Sequence, residues 1–483
     1  MKNRRLRMGA MATGFIIFFI AAMILFNLVA GIASDRFYWK WDMTREQLYS
    51  LSDETENYLT ALPEPVKAVV LATESHYMSY SQGLYMPIGE MLKKYASIAG
   101  SRLELEFLDP DLNSAALEKY SSLGQLSAFD IIIASDKRFR ILRSYDLMEM
   151  ESDVNEYYET YTYPVGYQAE RKLTSAVMHV CNEIVPQAAF LGGHGERTIE
   201  EMADLRTLLE DNNYTTLALN LPMEDIPDDV NLLVIAAPQM DFSPAEAEKL
   251  ENFFTRGGDA WFFFGTGVQK LPVLERYLGE WGVAFEDKVL FDSVNAISNQ
   301  SFVVPTLGDH AILGQVKAEN MLSVLPYGRP IEILFGERNY RTTFPLLSSS
   351  ANSYAKSTEA IDTYEKEAGD ASGPFPVAVL TEQRLYDSNL DWTEARVLSM
   401  SVNFVIGGVL QDTSLLNVRI MNSIAVYCNP IADTFYVSPK VMADSTMSLT
   451  INTAMVLMGL LVILLPLLIF GAGLAVWLRR RHL

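Results

Sequence analysis

Five consecutive residues, Gly192-Gly193-His194-Gly195-Glu196, gather the chain's best chemistry-bearing types into one short loop. Glycines permit positive φ and close approach of the backbone. An imidazole two residues from a carboxylate could act as a base with its orienting acid. The same pattern also suits a tight turn in which His194 bonds the backbone and Glu196 caps the following helix. No nucleophile or metal partner accompanies the pair. The turn is therefore the first reading; the site reading beside it is contact with a ligand or partner at Gly192, Gly193, His194, Gly195 and Glu196, with no catalytic residue and no metal ligand. In that role His194 sits exposed, and cutting it to Ala costs within ~0.5 kcal/mol of stability, as surface changes usually do. Gly257-Gly258 and Gly265-Thr266-Gly267 flank another strand and read as turns that could line the same crevice.

What is missing narrows the chemistry further. There is no GxxxxGK followed by Ser or Thr, so no P-loop holds a nucleoside triphosphate. HExxH and GxSxG are also missing, and no cofactor is called for. The histidines His76, His179, His194, His310 and His482 are scattered. Cys181 and Cys428 both fall in apolar segments, which reads as two buried free thiols, with one disulfide as the alternative. The formal net charge of −22 argues against nucleic acid as a partner.

The elements that must position the glycine loop alternate short apolar runs with amphipathic stretches, an α/β pattern. A strand at 188–191 leads into the loop, a helix at 198–211 leaves it, and strands follow at 214–219 and 230–237. Ser243-Pro244-Ala245-Glu246 reads as a capping box with Pro at the first helical position. Its helix runs to 255, and 259–264 is the next strand. Strand–helix–strand repeats of this kind imply a parallel sheet covered on both faces. Upstream, strands are expected at 66–73, 103–108 and 131–134, with 139–142 as a hairpin partner and a helix over 86–97. An acidic, tyrosine-rich stretch then leads into a helix at 168–183. Downstream, 348–374 reads as a polar loop, 377–380 and 395–405 as strands, and 415–427 as a helix. The domains expected are 34–160 and 161–440, with Trp261-Phe262-Phe263-Phe264 in the core.

The two ends differ from everything between them. Residues 9–33 and 454–477 carry no charge, and each is long enough as a helix to cross a ~30 Å hydrocarbon core. Lys2, Arg4, Arg5 and Arg7 precede the first, Arg479-Arg480-Arg481 follow the second, and no acid lies before Asp35 or after Asp444. The positive-inside rule puts the basic tails 1–8 and 478–483 in the cytoplasm and the acidic middle outside. A cleaved signal peptide is the alternative for the first segment, but its apolar run exceeds the usual ~7–15 residues.

Taken in order, several short stretches resemble one family. Trp41-Asp42-Met43-Thr44, Leu48-Tyr49-Ser50-Leu51-Ser52 and Thr55 are similar to its "DLT…LYSLS…T". Tyr95 with Asp109-Pro110-Asp111, and Leu173-Thr174-Ser175-Ala176, follow in the same order. Phe190 to Glu196, then 232–237 with Pro238, His310-Ala311-Ile312, and 346–350 with Ser353 complete the series. Residues 398–402 depart from it, where members often carry a Gly-Asp pair. The family is the auxiliary component of an uncharacterised ABC-type transport system, the group that includes GldG-like gliding-motility proteins. The resemblance implies a non-catalytic subunit in a bacterial cytoplasmic membrane, partnered by an ABC permease and a separate ATPase. It also implies that the second domain is glutamine-amidotransferase-like, or flavodoxin-like, without a cysteine nucleophile. An envelope hydrolase using the glycine loop and a stand-alone anchored sensor are the rival readings. Protease added to spheroplasts should digest the middle of the chain and spare tags at both termini; a protected middle would overturn this topology.

Overall fold

The computed structural model describes residue 14, residues 17–29, residue 473, and residues 50–441 except 114–116, 119, 121–125, 155–159, 266–269, 315, 319–320, 359–362, 387–391, 413–414, 432–436 and 438–439. Residues 17–29 are helical, with exposed apolar side chains such as Phe18, Leu25 and Phe26. Among the described residues no helix is long and apolar enough to cross a membrane. Most of 9–33 and nearly all of 454–477 lie outside the described residues.

The upstream sheet has four strands. β1 (Val66–Val70) pairs in parallel with β2 (Leu103–Phe107) and antiparallel with β3 (Ile131–Ala134), which turns back into β4 (Phe139–Leu142). The sheet is mixed rather than parallel, because the 131–142 hairpin brings its strands in by a tight reversal. Helix α1 (Asp53–Thr60) starts at Ser52, whose side chain accepts the Thr55 N–H, and α2 (Met86–Ala99) buries Ile88, Met91, Leu92 and Tyr95. Helix α3 (Ala169–Cys181) is buried along most of its length. The Ser52 N–H donates to Glu170 Oε1 at 2.6 Å, Thr55 and Thr174 share a hydroxyl contact at 3.3 Å, and Tyr95 Oη bonds Thr174 at 2.6 Å. Short motifs spread over a hundred residues of sequence thus meet in one hydrogen-bonded cluster.

The larger sheet has nine strands, of which five are parallel. These are β5 (Gln187–Gly192), β6 (Thr215–Asn220), β7 (Val230–Ala236), β8 (Asp259–Phe264) and, much later, β11 (Trp392–Ser401). In space they run β6-β5-β7-β8-β11, with every pair parallel. The sheet then continues antiparallel through β10 (Pro376–Tyr386) and β9 (Arg341–Ser348), a half that the parallel-sheet expectation missed. The apolar part of β10 was legible, but its polar outer stretch from Thr381 to Arg384 hid how far the strand runs.

Helices cover both faces. α4 (Ala203–Asp211) and α7 (Asn417–Tyr427) pack on the face that holds Phe190, Trp261 and Phe263. α5 (Pro244–Thr255) and α6 (Pro272–Glu280) pack on the face that holds Leu191, Phe262 and Phe264. The aromatic run therefore feeds both cores alternately, as the period of a strand dictates.

The polar segment 348–374 is not a plain loop. Ser353–Ser357 and Ala371–Ser372 are strands; the first lies between Lys288–Asp292 and the second and pairs with both. The Lys356 ammonium, buried there, bonds Glu367 at 2.7 Å and Asp370 at 2.9 Å, so the polar composition supplies internal pairs. The helix expected at 198–211 begins only at Ala203, after turns. The tyrosine-rich stretch carries strands instead of a lead-in: Met148–Val154 and Thr160–Tyr167 form a three-stranded sheet with Lys440–Val441. One compact unit, residues 1–149 and 167–440, contains both larger sheets; 150–166 and 441–483 make up the other. Cys181 and Cys428 are separate buried free thiols, so the disulfide alternative falls. Burial pushes the Cys181 thiol up to about 11, and Cys428 well above its ordinary value.

In the last turn of α3, burial first, and then the charges of Arg140 and Arg138, lower His179 from 6.5 to about 4. The folded ring stays neutral where the unfolded one is protonated. This stability is complete above pH 6.5 and is lost as pH falls towards 4. The contribution lost at pH 4.5 should be about 2–3 kcal/mol. His179→Gln should shrink by that amount the drop in unfolding free energy, read from urea titrations, between pH 7 and pH 4.5; equal drops in the two proteins would refute the assignment.

Candidate functional site

In the five-strand parallel array the chain leaves β5 for β6 on one side, then returns to β7 on the other. The order reverses between β5 and β7, and loops at the carboxyl ends of such strands border a crevice where open α/β sheets place ligands. Residues 192–197 follow β5 at this point, and 237–243 follow β7.

Glycine is required at two positions of the loop. Gly193 has φ +118°, and a Cβ there would fall 2.4 Å from Pro222 Cδ. Gly195 has φ +74°, with Gln239 Cβ 3.1 Å from its Cβ position. Gly192 meets neither demand, since it is simply the last residue of β5. The His194 carbonyl accepts the N–H groups of Gln239 at 2.8 Å and Met240 at 2.9 Å, and Arg197 N–H donates to the Ala236 carbonyl at 2.8 Å. These bonds staple the first loop to the second.

His194 is not exposed. It is 5 % accessible, with its ring against Phe242 at a centroid distance of 4.2 Å. Nδ1 lies 3.2 Å from Glu196 Oε1 and Nε2 lies 3.3 Å from Glu246 Oε1. Each ring nitrogen therefore faces one carboxylate oxygen, and the two carboxylates come from different elements. Glu196 also accepts the His194 backbone N–H at 2.6 Å, which closes the loop on itself. Glu246 closes the capping box of α5, accepting the Ser243 N–H at 2.6 Å while Ser243 Oγ accepts the Glu246 N–H at 3.3 Å. Burial works to raise the Glu246 carboxyl; the Ser243 backbone and hydroxyl and His194 outweigh it, and its pKa ends below the ordinary value.

The expectation of an exposed His194, removable at little cost, is thereby overturned. Sequence spacing showed Glu196, but the partner that buries the ring, Glu246, lies on another helix.

Beside this buried pairing opens a cleft of about 340 Å³. It is lined from the ends of β5, β7, β8 and β11, by Gly195, Glu196 and Arg197, by Gln239, by Gly265 and by Asn403. Of the expected contact residues, Gly195 and Glu196 border it, whereas Gly192, Gly193 and the His194 ring do not. Gly265 joins it as the sequence suggested, and Thr266-Gly267 lie outside the described residues. Gly257-Gly258 close the end of α5 just before β8, at the amino-terminal end of that strand. Arg197 closes the glycine loop but was passed over beside His194 and Glu196, and Gln239 and Asn403 were missed because each stands alone in its own loop. The one signal was their place just after parallel strands. Ala237, immediately after β7, has φ +53° and offers only a methyl group. Among the described residues no group of His, Cys, Asp and Glu could hold a metal ion. His310 sits elsewhere, 3.9 Å from Glu382, and Ser350 bonds the buried Asp292 at 2.5 Å, so those motif stretches serve structure.

Residues 186–303 match the family model described as ABC-type uncharacterized transport system, and residues 45–143 match a domain of unknown function (DUF7088). No curated protein matches the chain. Among solved structures, one titled "mmIFT52 N-terminal domain" has a TM-score of 0.38 at 16 % identity, over 51 % of this chain and 98 % of that one, which is too slight a likeness to carry a shared fold.

Removing the ring takes from both buried carboxylates the partner they share. His194→Ala should therefore cost about 2–3 kcal/mol. Gly193→Val should be comparably damaging, through strain and the Pro222 clash, while Gly192→Ala stays within ~0.5 kcal/mol. Urea unfolding of the three variants checks the order. A His194→Ala protein as stable as the parent would show that the bridge does not hold the loop.

Proposed function

We propose that this chain, an auxiliary component of an ABC-type transport system, works as a non-catalytic subunit that offers the switch-point cleft to a ligand. The observation that carries the reading is the cleft itself, placed where the strand order reverses and lined with polar groups from four separate loops. Association with an ABC transport system follows from the family; a permease and a separate ATPase are the partners proposed within it. The basic, uncharged and acidic segments of the sequence support a two-pass chain with its bulk on the non-cytoplasmic side. The parallel array, in flavodoxin-like order, supports the amidotransferase-like reading of the second domain, with methyl-bearing Ala237 and no nucleophile after β7. GldG-like kinship stays a proposal resting on the sequence motifs.

The hydrolase alternative is less well supported. A base needs an open lone pair aimed at substrate, and both His194 nitrogens are held by carboxylates inside the fold.

Gln239 is exposed at the cleft, so Gln239→Trp should fill the space without unfolding the chain. Transport-dependent growth should fall severalfold or more, while permease and ATPase still copurify with the variant from membranes. Full growth would remove the cleft from the function. Loss of copurification at unchanged Tm would make the cleft a partner contact rather than a ligand site.

A further inference from the structure

We infer that the cleft selects a small zwitterion, an α-amino acid, binding the carboxylate on Arg197 and the ammonium on an acceptor set formed by Glu201, Gln239 and Asn403. The inference rests on the reading of the cleft as a ligand site and adds the chemistry of what enters it.

Hydrogen bonds already made inside the protein fix which groups are left to offer. Gln239 Nε2 donates to the Ala237 carbonyl at 2.8 Å, and Asn403 Nδ2 donates to the Tyr327 carbonyl at 3.3 Å. Each nitrogen has one of its two hydrogens committed inside the protein, so the carbonyl oxygen is the freer end of each side chain. Glu201 adds a carboxylate, one oxygen of which takes the Thr198 N–H at 2.8 Å. Three acceptors in one small space call for a donor-rich, cationic group.

Arg197 supplies the opposite sign. It stands 3.9 Å from Glu201, with side chains 42 % and 53 % exposed. A pair so long and so open holds weakly, and a ligand carrying both charges can replace it with two shorter contacts. A guanidinium matches a carboxylate bidentately, which an ammonium in its place would not.

Other ligand classes fit less well. One arginine beside a glutamate, on a chain of net charge −22, is a poor host for a phosphate dianion. A simple cation would meet Arg197. A neutral sugar would satisfy the amide oxygens but leave the ion pair unused. At about 340 Å³ the cleft is at the small end of ligand sites, which span roughly 300–1,000 Å³.

The full chain, purified in detergent, should be titrated by calorimetry with the standard L-amino acids, their N-acetyl and C-amide derivatives, and glucose. At least one free amino acid should bind, and capping either its ammonium or its carboxylate should weaken binding about tenfold or more. Arg197→Gln should be insensitive to the C-amide change, and Glu201→Gln, whose carbonyl can still cap Thr198, insensitive to N-acetylation. Glucose binding in preference, or indifference to both caps, overturns the inference. If no amino acid binds and yet Arg197→Gln and Glu201→Gln impair transport-dependent growth at unchanged Tm, the zwitterion class falls while the ligand site stands. If neither variant impairs growth, both readings fall.

Discussion

One imidazole set between two carboxylates organises the functional edge of this protein. Glu196 belongs to the loop after β5, Glu246 to the first turn of α5, and His194 joins them within 3.2–3.3 Å. Burying three ionisable groups is costly unless they pair and their remaining hydrogen-bonding capacity is met. Here it is met by the His194 and Ser243 backbone N–H groups. The arrangement ties the position of the loop to the cap of the helix. Neither can shift without uncovering a charge.

That constraint explains the shape of the cleft beside it. The loop takes positive φ at Gly193 and Gly195, folds back onto Gln239 and Met240, and leaves Arg197 at the rim. From the rim, the turn at 198–202 leads into α4, whose last residue, Asp211, pairs with Lys172 at 2.6 Å and Arg171 at 3.3 Å on α3. α3 in turn carries Glu170 and Thr174, the centre of the polar cluster that holds α1 and α2. The helix that leaves the cleft loop is thus tied through α3 to the cluster that holds α1 and α2.

Much of the framework was legible in the sequence because short strands and caps are local. Strand 259–264 was marked by its own apolar run, and the hairpin 131–142 and the Ser243 capping box depend on neighbours within a few residues. The antiparallel half of the large sheet was legible only at the apolar part of β10, and its direction and the strand β9 were not. Strands β9 to β11 are long and partly polar, and their partners are set by tertiary pairing. Nor could the sequence show that Lys356 is sheltered by Glu367 and Asp370, which turns a polar stretch into a small sheet. The glycine loop was found for a sound reason, since Gly193 and Gly195 need their positive φ. The error lay with His194. A histidine in a glycine loop reads as exposed until the residue that closes over it is known, and Glu246 is fifty residues away.

The burial of His194 bears on what this loop can do. General bases in active sites keep one nitrogen turned to substrate, and the second is oriented by a carboxylate. In this chain a second carboxylate, already engaged in a helix cap, occupies the place where substrate would have to enter. Freeing Nε2 would break the Glu246 contact that ties the loop to α5. The histidine is thus committed to holding the loop, and the groups open to a visitor are its neighbours, Arg197, Gln239 and Asn403. Their chemistry suits binding and orienting a ligand. None of them is a nucleophile, and Ala237, strained at the end of β7, offers only a methyl group where an α/β hydrolase would present one.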